Sequence, residues 1–142
     1  MIDEFETTTR RAKMAQILAA QANDSARVVE HQGRWESGYG VEFYNVVGRL
    51  QNTSDHPLRY VRLRVEALDA AGTVVATTET YNESAEVLTA PEVKPSELLA
   101  AGKIKPLGAG AEERFRASFL KEETPPFTHH RVAVVESPAA PP

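Results

Sequence analysis

Tyr44-Asn45-Val46-Val47-Gly48-Arg49-Leu50-Gln51-Asn52, then Leu58 to Asp69, then Gly72 to Tyr81, set the architecture of this chain. The three runs read as consecutive antiparallel strands. In the first, Tyr44, Val46, Gly48 and Leu50 share one face of a strand over residues 41–52. In the second, Val61, Leu63, Val65 and Ala67 point one way, and Tyr60, Arg62, Arg64 and Glu66 point the other. The third is rich in Thr and Val, which strands favour. Asn52-Thr53-Ser54-Asp55-His56-Pro57 supplies turn chemistry between the first two, since Asn, Ser and Asp side chains bond nearby backbone. Asp69 and Gly72 fit positions i and i+3 of a type I turn between the last two. Such a pattern belongs to an all-β sandwich.

The period of two extends to both sides of this block. Ala26 to Gln32 reads as a first strand, and Arg34 to Gly40 as a glycine-interrupted connection. Strands are expected over about 111–121, with Phe115, Ala117 and Phe119 on one face, and over about 129–136, with Val132 and Val134 inward. Between them, residues 82–110 hold three prolines and three glycines. A single helical turn fits there, capped by Ser96, formed by Glu97 to Ala101 and stopped by Gly102. A connection this long in a compact domain is functional or floppy.

The ends differ from the middle. Residues 1–25 form an N-terminal helical arm or linker, with Met14, Ile17 and Leu18 as a narrow apolar stripe on a helix over about Thr8–Ala22. A plain amphipathic helix is a better reading of Thr9-Arg10-Arg11-Ala12-Lys13-Met14 than an export signal. The sandwich domain spans 26–136. The Pro/Ala tail at 137–142 reads as disordered.

Composition bounds the rest. The 142 residues suit one domain. A chain of this length buries about two-thirds of its unfolded surface, so it folds without a staple. With 16 Lys+Arg against 20 Asp+Glu, the net charge is −4, which argues against nucleic acid as a partner. No cysteine is present, which removes disulfides, thiol catalysis and Cys-based zinc sites. No segment is long enough to span a bilayer, so membrane association is expected only through a leader or anchor outside the chain.

Chemistry-bearing residues do not converge in the sequence. Ser54, Asp55 and His56 are adjacent in a turn, whereas catalytic side chains converge from separate segments. His129 and His130 alternate across a strand and cannot jointly hold one ion. The carboxylate pairs Glu83/Glu86 and Glu112/Glu113 lie in polar stretches that do not shift a pKa toward acid–base work. Gly108-Ala109-Gly110 precedes a strand rather than a phosphate-binding helix. The expectation is no enzyme, no cofactor and no metal. Asn23-Asp24-Ser25, Asn52-Thr53-Ser54 and Asn82-Glu83-Ser84 match the glycosylation pattern, but the same residues are favoured in turns.

Two candidate surfaces emerge. Placing the 58–69 strand beside 111–121, and that beside 129–136, gathers Arg62, Arg64, Arg114, Arg116 and Arg131 on one sheet face. Such a face suits an acidic partner, against a reading in which Glu66 and Glu113 merely neutralise it. Trp35, Tyr39 and Phe43, beside Tyr44, form a candidate aromatic cluster for carbohydrate or peptide, against a reading in which it plugs the end of the core. The core itself is expected at Val46, Leu50, Val61, Leu63, Val65, Phe115, Phe119, Val132 and Val134.

Val47-Gly48-Arg49-Leu50-Gln51-Asn52-Thr53-Ser54, Val61 through Asp69, and Gly72-Thr73-Val74-Val75 together resemble the FxLYD-type domain and its bacterial envelope relatives. Pro106-Leu107-Gly108-Ala109-Gly110 followed by Phe115 is also similar. The resemblance covers roughly residues 41–136. Ala67-Leu68-Asp69 departs from it in lacking a tyrosine, and the 82–105 insertion is long. The resemblance implies an immunoglobulin-like β-sandwich of about seven antiparallel strands, located in the periplasm or cell envelope. It brings no catalytic residues. The expected function is a non-enzymatic accessory module that binds a protein partner through a sheet face or the 82–110 loop. The alternative is a small-ligand or carbohydrate module built on Trp35.

Overall fold

A computed structural model describes residues 25–89 and 104–141. The expected helices at Thr8–Ala22 and Ser96–Ala101 lie outside the described residues. Among the described residues there are six strands: β1 (Ala26–Gly38), β2 (Val41–Asn52), β3 (Arg62–Leu68), β4 (Val74–Tyr81), β5 (Glu112–Leu120) and β6 (His129–Glu136). They form two three-stranded antiparallel sheets, ordered β1-β2-β5 and β4-β3-β6.

The core follows the alternation. Val46, Leu50, Val61, Leu63, Val65, Phe115 and Phe119 are buried between the sheets. Val132 and Val134 pack against them from β6 while partly exposed. Asp69 accepts backbone hydrogen bonds from Ala71 and Thr73 on its side chain, which closes the β3–β4 turn as its sequence position requires.

Four local expectations are corrected. β1 does not stop at Gln32 but runs to Gly38. Gly33 is no breaker: a Cβ there would collide with the Tyr44 ring, so the glycine lets that ring lie against the strand. The turn is the two residues Tyr39 and Gly40, at φ 53° and 77°, the left-handed pair that hairpins favour. The second strand of the opening block starts at Arg62 rather than Leu58. Leu58 instead bridges Leu107 and Ala139, with Pro57 excluded from a central ladder. The 137–142 tail is tied in where it is described. Arg59 N donates to Pro138 O at 2.8 Å, Ala140 N donates to Pro57 O at 2.9 Å, and Ser137 is buried.

The fourth correction is helical. Glu83–Thr89 form a 3₁₀ helix whose Ala85 and Leu88 are buried with Ile104 against Tyr60 and Tyr81. Glu113 anchors its start, accepting from Ser84 N at 2.8 Å, Ser84 Oγ at 2.7 Å and Asn82 Nδ2 at 3.0 Å. A carboxylate at that end meets the unpaired amides of a helix start.

Candidate functional site

The five arginines do not share a face. β3 pairs with β4 and β6, whereas β5 pairs with β2 in the other sheet. Arg62, Arg64 and Arg131 therefore lie on the outer face of the β4-β3-β6 sheet, and Arg114 and Arg116 on the outer face of β1-β2-β5. The sequence parity was right within each strand. Strand adjacency, which parity does not encode, was wrong.

On the β4-β3-β6 face the arginines are matched. Arg62 reaches Glu79 at 2.8 Å and Glu136 at 3.0 Å, and Arg64 reaches Glu79 at 3.5 Å. Arg131 donates to Glu66 at 2.8 Å, directly across the ladder. These guanidinium contacts hold Glu66 and Glu79 below the usual carboxylate range. Tyr60 donates to Glu136 at 2.6 Å, and its hydroxyl is pushed up to about 12, by burial first and by that bond second.

The β1-β2-β5 face is built differently. Arg49 lies directly opposite Arg114 in the β2–β5 register. Arg49 is held by Glu30 at 2.9 Å and Glu112 at 3.1 Å. Arg116 is held by Glu86 of the 3₁₀ helix at 2.8 Å. Arg114 is exposed and has no carboxylate partner among the described residues. Glu30, Arg49, Arg114 and Arg116, with Glu83 and Glu86 from the helix, line an open groove of about 820 Å³.

The expected aromatic cluster also separates. Trp35 lies opposite Tyr44 on the inner side of the hairpin, and Phe43 opposite Glu36 on the outer side. Tyr39 stands fully in solvent at the hairpin tip. Trp35, 50% exposed, instead joins Tyr44 and Phe127, with ring centroids 5.3 and 5.5 Å away. Phe127 closes the group against Tyr44 at 5.0 Å.

Beside these rings lies a contact that sequence reasoning missed. His130 of β6 meets His31 of β1, with Nε2 and Nδ1 2.9 Å apart. Its other nitrogen is hydrogen-bonded to the Tyr44 hydroxyl at 2.8 Å. Burial, and then the neighbouring His31, hold His130 below the ordinary imidazole value. The missing signal was a bulge. Val29 is an extra residue between Val28 and Glu30 in the β1–β2 register. It reverses the parity of β1, so His31, Gly33 and Trp35 take the inner side.

Ser54, Asp55 and His56 do not converge. Ser54 Oγ is engaged by Asn52 and the His56 carbonyl, and the Asp55 side chain is in solvent. Asn52 and Asn82 are both fully buried, which closes two of the three glycosylation patterns to modification in the folded state. The third, at Asn23, lies outside the described residues.

No family model and no curated protein sequence matches the chain. Among solved structures it is similar to the X-ray structure of the Northeast Structural Genomics Consortium target SoR45 at 14% identity. That match covers 84% of this chain and 89% of the other, with a TM-score of 0.35.

Proposed function

We propose that this chain is a non-enzymatic interaction module that holds a carboxylate-bearing segment of a protein partner in the groove on the outer face of its β1-β2-β5 sheet. The observation that carries this is Arg114. Like charges directly opposite in a ladder are destabilising. Arg49 has its own carboxylates, and Arg114 is left facing the groove without one among the described residues. A partner carboxylate would complete the arrangement, and the guanidinium fork suits it. The strand order also supports the immunoglobulin-like part of this reading. β1-β2-β5 facing β4-β3-β6 follows strands A-B-E facing C′-C-F of that fold. The FxLYD-type resemblance and an envelope location belong to the same proposal, and fractionation of the native host tests the location.

The test is binding to a panel of Glu- and Asp-containing peptides at low and high salt. Binding should fall with salt. Arg114→Ser should weaken it about tenfold, equivalent to about 1.4 kcal/mol. Arg64→Ser, on the opposite sheet, should leave it unchanged. Equal losses in both variants, or none in either, would reject the groove. A second reading rests on the half-exposed Trp35 stacked near Phe127 at an interplanar angle of 31°. There, relief of tryptophan quenching by a glycan would be the signature.

A further inference from the structure

We propose that His31 and His130 form a two-imidazole clamp for a divalent transition metal, with Cu(II) the ion whose geometry the pair fits. The two rings come from edge strands of different sheets. Their spacing is therefore set by how the sheets pack and not by a loose loop. His31 Nδ1 and His130 Nε2 are 2.9 Å apart. Imidazole nitrogens bind such metals at about 2.0 Å. Two cis donors on a square-planar or tetragonal ion then lie about 2.8 Å apart, and two on a tetrahedral ion about 3.3 Å. In the metal-free protein that spacing is held by an imidazole–imidazole hydrogen bond, and it already matches the tetragonal separation, which Cu(II) and Ni(II) prefer; Cu(II) stands highest in affinity for nitrogen ligands.

The surroundings suit a metal in two ways. Metal-bound histidines engage their second nitrogen with a hydrogen-bonding partner that fixes ring and tautomer. Here His130 Nδ1 lies 2.8 Å from the Tyr44 hydroxyl; in the tautomer that donates Nδ1–H to that oxygen, Nε2 is the metal-facing atom. Tyr44 is itself held between Trp35 and Phe127, over Gly33. Burial, and then His31, also disfavour the charged form of His130, and a metal takes the neutral form. His31 is exposed, which leaves the remaining positions on the ion to water. No third imidazole or carboxylate joins the pair among the described residues. The site is accordingly an exchangeable one, unlike a closed structural centre. His129 lies on the opposite side of β6 against Thr128, and His56 is paired with Asp55.

The test is Cu(II) titration of the full chain by calorimetry and electron paramagnetic resonance. The expected result is one equivalent bound with coupling to two imidazole nitrogens, and a rise in melting temperature on saturation. His31→Ala and His130→Ala should each weaken binding at least tenfold and abolish that rise. Tyr44→Phe should weaken binding without removing a nitrogen, and His129→Ala should change nothing. Circular dichroism confirms that each variant is folded. Equal binding in His31→Ala and the parent chain, coupling to a single nitrogen, or no binding at all would overturn the proposal.

Discussion

Asn52, the last residue of β2, shows how much one side chain at a strand end does. Its Nδ2 donates to the carbonyls of His56, Leu107 and Gly108 at 2.8, 3.0 and 3.1 Å. Its Oδ1 accepts from Ser54 N at 2.9 Å and Ser54 Oγ at 2.6 Å. Each buried polar group left unmatched costs about 1–3 kcal/mol. Asn52→Ala strands several at once, so its loss in a urea titration should be on the order of 3 kcal/mol. A loss below about 1 kcal/mol would mean that water replaces the amide. The sequence identified Asn52 and Ser54 as turn formers, because that property is local. Two of the five bonds were invisible there, because Leu107 and Gly108 come from a segment more than fifty residues away. Asn82 behaves alike: its Oδ1 accepts from Val61 N at 2.8 Å and its Nδ2 reaches Glu113.

Among elements, β3 is the most legible and β1 the least. Leu63, Val65 and Ala67 are fully buried at alternate positions of β3, as its pattern requires. Leu63→Ala should cost about 2–5 kcal/mol in chemical denaturation. A loss well under 1 kcal/mol would place Leu63 outside the packed interior. β3 reads cleanly because it is the central strand of its sheet and one face must be apolar throughout. β1 is an edge strand, polar along most of its length and interrupted by the bulge at Val29. Its hydrophobic pattern therefore carries little register information, and a single extra residue inverts the side on which every later residue falls. That inversion moved Trp35 away from Phe43 and brought His31 to His130. The arginine face failed for a different reason. Side-chain parity is a property of one strand, whereas which strands become neighbours depends on long crossings that no local pattern reports.

At the scale of the whole molecule, the two sheets are joined at their β1–β6 edge by the His31–His130–Tyr44 chain, and this makes their union sensitive to pH. Protonating His130 places a partly buried cation beside His31. Burial, and then His31, lower the folded-state pKa of His130, whereas the unfolded chain titrates near the ordinary value of about 6.5. Between the folded value and about 6.5 the unfolded state binds more protons, so stability rises with pH and falls as pH drops below about 6.5. The carboxylates held low by arginine, Glu66 and Glu79, act in another window, since their contribution is lost only as pH falls below the ordinary glutamate value of about 4.3. Melting temperature between about pH 5 and 7.5 therefore isolates the histidine effect. It should climb across that range in the parent chain. His130→Phe should flatten the climb, whatever its effect on absolute stability, while His129→Ala should leave it intact. A slope that persists in His130→Phe would place the sensitivity elsewhere and detach the β1–β6 contact from the pH response.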